Sequence, residues 1–132
     1  MMTVRDRMTR DPVTVTPDDL LATAQAKMEA GGFRQLPVVK DENLVGILTD
    51  RDVRQHGRQM RITKVSEVMT AEVLTVSPKT PLEEAARILL EHKIGGLPVM
   101  AGDKLIGIIT ISDLLRALVD MLASTARSPA HP

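Results

Sequence analysis

Two short runs carry the groups best suited to holding a ligand: Gly46-Ile47-Leu48-Thr49-Asp50-Arg51-Asp52 and Gly107-Ile108-Ile109-Thr110-Ile111-Ser112-Asp113. Each follows an apolar pair, Leu44-Val45 or Leu105-Ile106, and leads into an amphipathic stretch, so each reads as a buried strand turning into a helix. At such a turn the free backbone N–H groups attract anions and the threonine hydroxyl adds a hydrogen bond. The aspartate three residues on accepts bonds from sugar hydroxyls. This nucleotide-shaped set of groups occurs twice. The plainer reading makes the threonines β-favouring strand ends and the aspartates helix N-terminal residues helped by the dipole.

Both runs end a longer repeat. Shifting the sequence by 61 positions aligns Val4–Arg54 with Val65–Leu115 without a gap and gives 16 identities in 51 positions, where chance gives about three. Met8-Thr9 falls on Met69-Thr70, Thr14-Val15 on Thr75-Val76, and Leu36-Pro37-Val38 on Leu97-Pro98-Val99.

Within each copy the hydrophobic pattern predicts β-α-β-β-α. Val13–Thr16 is a short β-type run ended by Pro17. A helix opens near Asp19, with apolar spacing at Leu21, Ala24 and Met28; its counterpart has Leu82, Ala85, Ala86 and Leu89. There, Thr80-Pro81-Leu82-Glu83 predicts a capping box with Thr80 at N-cap. Gly31-Gly32 predicts a left-handed helix end; in the second copy His92-Lys93 occupies those places, two cations that suit the dipole at a helix C-terminus. Gln35–Val39 and Gly96–Met100 read as strands, joined by polar turns to the next apolar run as hairpins. Residues 3–10 suit a short helical turn packed on the other repeat. The expected division is repeat 1 over 1–57, a connector over 58–64, repeat 2 over 65–123 and a disordered tail over 124–132.

Composition bounds the function. The chain has 132 residues and is 43% hydrophobic with one aromatic residue, so its core is aliphatic. Lys plus Arg and Asp plus Glu both number 17, and no global charge draws the chain to nucleic acid or a membrane surface. Cysteine is absent, which removes disulfides and thiolate chemistry. His56, His92 and His131 lack metal-ligand spacing. The first residues lack a secretory apolar run and no stretch approaches a membrane span, so a soluble cytoplasmic protein is the expectation.

The order Thr-Val, Pro, helix with a central Ala, Leu-Pro-Val, polar turn and Gly-hydrophobic-hydrophobic-Thr-x-x-Asp resembles the cystathionine-β-synthase (CBS) domain. Two copies in register resemble the paired unit called a Bateman module, over residues 3 to about 120. The resemblance implies an α/β (α+β) fold in which two β-α-β-β-α repeats pack sheet to sheet with pseudo-two-fold symmetry and leave two clefts. It further implies a disc-like homodimer and binding of adenine nucleotides or adenosyl compounds, AMP, ADP, ATP or S-adenosylmethionine. Carried over by motif, Asp52 and Asp113 would hold ribose, Thr49 and Thr110 would face phosphate, and Ile47 and Ile108 would line adenine. Arg34 and Gln35, or Gly95 and Gly96, lie where the family touches phosphate. Asp19 and Thr80, with Ala24 and Ala85, would close each cleft from the partner repeat. Arg34 and Arg51 give the first cleft two guanidiniums, whereas the second has Gly95-Gly96 and Ser112, room with little charge.

The leading expectation is a regulatory module that binds a small adenosine-type ligand, needs no cofactor and signals to an unknown protein target or an oligomer. The alternative is a structural dimerisation module with empty clefts. A catalytic role is not expected, because the sequence offers no Ser/His or Cys/His pairing, no Walker loop and no metal cluster.

Overall fold

The computed structural model describes residues 1–126. Its regular elements are α1 (Val4–Arg7), β1 (Thr9–Arg10), α2 (Leu21–Gly31), β2 (Gln35–Lys40), β3 (Asn43–Thr49), α3 (Asp50–Arg54), α4 (Leu82–His92), β4 (Gly96–Ala101), β5 (Lys104–Thr110) and α5 (Ile111–Ala126). Single 3₁₀ turns at Gly57–Gln59 and Val65–Glu67 lie between the two halves.

The hairpins form where the apolar runs place them and obey the 61-residue shift. Gln35 pairs with Thr49 and Gly96 with Thr110, and each hairpin has a bulge at the same place, Val38/Val39 and Val99/Met100. Asp41 and Glu42, both at positive φ, make the tight primed turn of the first hairpin. Gly32 ends α2 in the left-handed region, as its sequence predicts, and Lys93 ends α4 the same way without glycine's freedom.

The first β run of each repeat does not become a strand. Val15 makes one parallel bridge to Val38, through bonds to Pro37 O and from Val39 N, and Val76 does the same with Val99. Pro17 and Pro78 follow two residues later without an N–H to extend the ladder.

The helix starts also differ from expectation. α2 opens at Leu21 and not at Asp19, and α4 has Pro81 at N-cap with no side-chain cap bond. Thr80 and Asp19 instead close the preceding turns, accepting from the backbone N–H of Ser77 (3.1 Å) and Thr16 (2.8 Å). The first helical N–H groups still need acceptors, and the other copy's lead-in supplies them. Leu82 N donates to Met2 O, while Leu21 N and Ala22 N donate to Thr63 O and Met60 O.

The two halves therefore exchange their lead-in segments. Val4 and Met8 are buried in the core of the second repeat with Leu82, Leu97 and Ile109. Val65 is buried in the core of the first with Leu21, Leu36 and Leu48. Thr3 bridges to Pro81 and, 61 residues on, Lys64 bridges to Leu20. β1 adds an edge to β5, giving a β1-β5-β4 sheet, whereas the equivalent Thr70 makes only an isolated bridge to Ile47 beside the β2-β3 hairpin. β3 and β5 contact each other between the hairpins.

The exchange explains two glycines. A Cβ on Gly107 would stand 2.8 Å from both Met8 Sδ and Thr9 O, and one on Gly46 would stand 2.6 Å from Met69 Sδ and 3.0 Å from Thr70 O. α5 runs to Ala126, so Ser124–Ala126 are helical where a tail was expected; the remainder of that expected tail lies outside the described residues.

Gly107→Ala should lower stability by about 1–3 kcal/mol in urea denaturation, because a backbone oxygen must move. Gly57→Ala, which meets nothing within 4 Å, should change it by less than about 0.5 kcal/mol.

Candidate functional site

Both Thr-x-x-Asp turns fold back on themselves. Thr49 N donates to Asp52 Oδ2 (3.0 Å) and Asp52 N donates to Thr49 Oγ1 (3.2 Å). Thr110 N donates to Asp113 Oδ2 (2.9 Å) and Asp113 N donates to Thr110 Oγ1 (3.2 Å). Asp50 N and Ile111 N are taken by Arg34 O (2.9 Å) and Gly95 O (3.1 Å). Most of the backbone donors expected to be open to an anion are thus engaged within the turn, and side chains must supply the charge for any phosphate.

The first turn has such side chains. The Asp50–Arg34 bond brings Arg34 to the start of α3 beside Arg51, and both arginines are exposed. Asp50, a repulsive neighbour for phosphate, is paired with Arg54 at 3.6 Å. His56 Nδ1 sits 3.0 Å from Asp52 O at the end of this turn. In the second turn the equivalent places hold Gly95 and the exposed Ser112.

The strand pairing brings Gln35 beside Thr49 and Gly96 beside Thr110, and Gln35 also reaches across to the second repeat. Its amide lies against Gly95, and its Oε1 would be 3.3 Å from a Cβ on Gly96. The room expected at Gly95-Gly96 is therefore occupied by the Gln35 side chain, and Gly96 is buried.

Ile47 is half-buried next to the Thr70 bridge, and Ile108 is buried opposite Thr9. Ala24 and Ala85 have no exposed surface and lie inside the two cores, so neither closes a cleft. The helical spacing that singled them out is the spacing of a core face. Asp19 and Thr80 hold turns before the helices, each half-buried.

Four further residues take part around Asp113 and α5. Thr9 Oγ1 (3.1 Å) and Arg116 Nη2 (2.7 Å) both donate to Asp113 Oδ1, and Arg7 pairs with Asp120. An open groove of about 400 Å³ lies here between α1 and α5, lined by Asp6, Arg7, Met8, Asp113, Leu115, Arg116, Val119 and Asp120. At its edge the Thr3 backbone N–H holds the Asp6 carboxyl below the usual carboxylate range. The doublet Met8-Thr9, repeated as Met69-Thr70, was the available signal for Thr9. Nothing local marks Arg116, whose counterpart is Gln55.

Two hairpin-and-helix repeats that trade lead-ins, each ending in a Thr-x-x-Asp turn, define a duplicated α/β module. The CBS domain model matches residues 4–58 and again 65–120, and the chain belongs to that family. It is 36% identical over 118 residues to the CBS domain-containing protein YhcV of Bacillus subtilis, covering 86% of this chain and 84% of that one. It is 42% identical over 112 residues to inosine-5'-monophosphate dehydrogenase of Staphylococcus haemolyticus, a match spanning 22% of that enzyme. Among solved structures, CBSX2 in complex with AMP superposes with a TM-score of 0.83 at 32% identity, over 92% of this chain and 99% of that one. The CBS domain pair of MJ0100, in complex with 5'-methylthioadenosine and S-adenosyl-L-methionine, gives 0.85 at 25%, over 92% and 98%.

Gln35→Ala should open space between the repeats and cost about 1 kcal/mol in urea denaturation, an effect that Gly96→Ala in the same background should partly restore.

Proposed function

We propose that this chain is a non-catalytic regulatory module of the cytoplasm that binds an adenosine-type ligand, AMP, ADP, ATP or S-adenosylmethionine, at its Thr-x-x-Asp turns. The observation that carries this reading is a single turn that holds the half-buried Asp52, the exposed Arg51 and, through the Asp50 N–Arg34 O bond, the exposed Arg34. An acceptor for vicinal hydroxyls next to planar cations for phosphate fits a nucleoside phosphate. The AMP complex of CBSX2 and the adenosyl complex of the CBS domain pair of MJ0100 support it. In this reading Asp52 contacts ribose, Thr49 and the two arginines serve phosphate and Ile47 flanks the base, with Asp113, Thr110 and Ile108 the corresponding residues of the second copy. The ligand shifts the module between two states by its difference in affinity for them, typically 1–3 kcal/mol, and a protein partner reads the shift.

Pairing with a second copy belongs to the same proposal. Along α5, Ile111, Leu115, Leu118 and Leu122 recur every three to four residues and are 47–61% exposed. The helix's three charged residues are tied elsewhere: Asp113 to Arg116, and Asp120 to Arg7. An uncharged helical stripe of this spacing suits a symmetric helix-to-helix contact. This stripe is also what favours the second reading, a module that joins copies while its clefts stay empty.

AMP at 100 times its Kd should stabilise the chain by about 2.7 kcal/mol in thermal melts, and Asp52→Ala should remove that shift. If none of the four ligands moves the melting temperature, the second reading replaces the first. Leu118→Glu should convert a dimer to a monomer in sedimentation velocity; an unchanged sedimentation coefficient would place the contact elsewhere.

A further inference from the structure

We infer that the two Thr-x-x-Asp sites are unequal: the Asp113 carboxylate is a structural clamp between the repeats, and the chain takes one adenosine-type ligand, at Asp52. This rests on the ligand reading above and adds the stoichiometry.

A carboxylate offers about four lone-pair positions. At Asp113 four donors fill them: Thr110 N (2.9 Å) and Thr110 Oγ1 (3.0 Å) on Oδ2, and Thr9 Oγ1 (3.1 Å) and Arg116 Nη2 (2.7 Å) on Oδ1. The residue is 4% exposed. At Asp52 one backbone donor, Thr49 N, reaches Oδ2, and among the described residues Oδ1 has no protein donor. The difference traces to named positions. Arg116 is replaced by Gln55, and Thr70, the counterpart of Thr9, makes no bond to Asp52. Thr9 is held in place because β1 pairs with β5 at Thr9↔Ile108, whereas Thr70 makes only an isolated bridge to Ile47.

A ribose approaching Asp113 must displace the Thr9 and Arg116 donors together and leave the Thr9 hydroxyl to find another partner. A lost hydrogen bond to a charged group weakens binding at least tenfold. The second site also lacks the arginines: Gly95 and Ser112 stand where the first has Arg34 and Arg51, and Gln35 fills the space at Gly95-Gly96. Charge and an open acceptor favour the first copy.

Titration calorimetry of the full chain with AMP should give one molecule per chain. Thr9→Val combined with Arg116→Ala should expose a second, weaker event, and Asp52→Asn in a chain that keeps the Asp113 clamp should abolish binding. Two equivalent sites in the natural chain would overturn the inference, as would a double variant that still takes only one AMP. A second measurement does not depend on the ligand: Asp113→Asn should lower the melting temperature by several degrees more than Asp52→Asn, and equal losses would remove the clamp. Absence of binding by AMP, ADP, ATP and S-adenosylmethionine would end the ligand reading alone, since the melting comparison still decides the clamp.

Discussion

The constraint on which the structure depends is the demand of buried helix starts for hydrogen-bond acceptors. α2 and α4 begin without a capping side chain, and an unpaired buried N–H costs about 1–3 kcal/mol. Backbone carbonyls from Met2 on one side and from Met60 and Thr63 on the other meet that demand. Each comes from a segment outside the helix's own hairpin. The same segments deliver Val4 and Val65 to the two cores, so polar satisfaction and apolar burial are met by one piece of chain. Residues 58–64, though polar, are for this reason part of the first repeat's packing as well as a link.

That arrangement also positions the ligand-binding candidates. β1 and Thr70 run past the strands that end in Thr110 and Thr49, and Gly107 and Gly46 let them come close. The passing β1 brings the Thr9 hydroxyl onto Asp113, whereas Thr70 makes its bridge to Ile47. Small differences between the copies then have large local effects. One threonine in a paired strand and one arginine a turn along α5 are enough to saturate Asp113, while Asp52 stays half-open.

Much of this was legible beforehand. The 61-residue shift, the hairpins, the left-handed end at Gly32 and the packing of the first residues on the other repeat follow from local chemistry and from self-comparison. Thr80 does not cap α4 because Ser77 N takes its hydroxyl, and sequence does not rank two competing donors. The spacing of Ala24 and Ala85 describes a core face as well as a cleft wall, and both are fully buried. The filling of Gly95-Gly96 by Gln35 was invisible, since it joins positions 60 or 61 apart across the interface. Arg116 carries no signal in the repeat, since its counterpart in the first copy is Gln55.

The traded segments carry an implication for ancestry. A single repeat of about sixty residues has its own hairpin and two helices, yet its lead-in reaches the neighbouring core and not its own. Such a unit would be complete only as a swapped pair of identical chains, each lending its first ten residues to the other. Fusing the two end to end would keep every contact and free the twin halves to diverge, after which one aspartate could become a fastener while the other stayed a receptor.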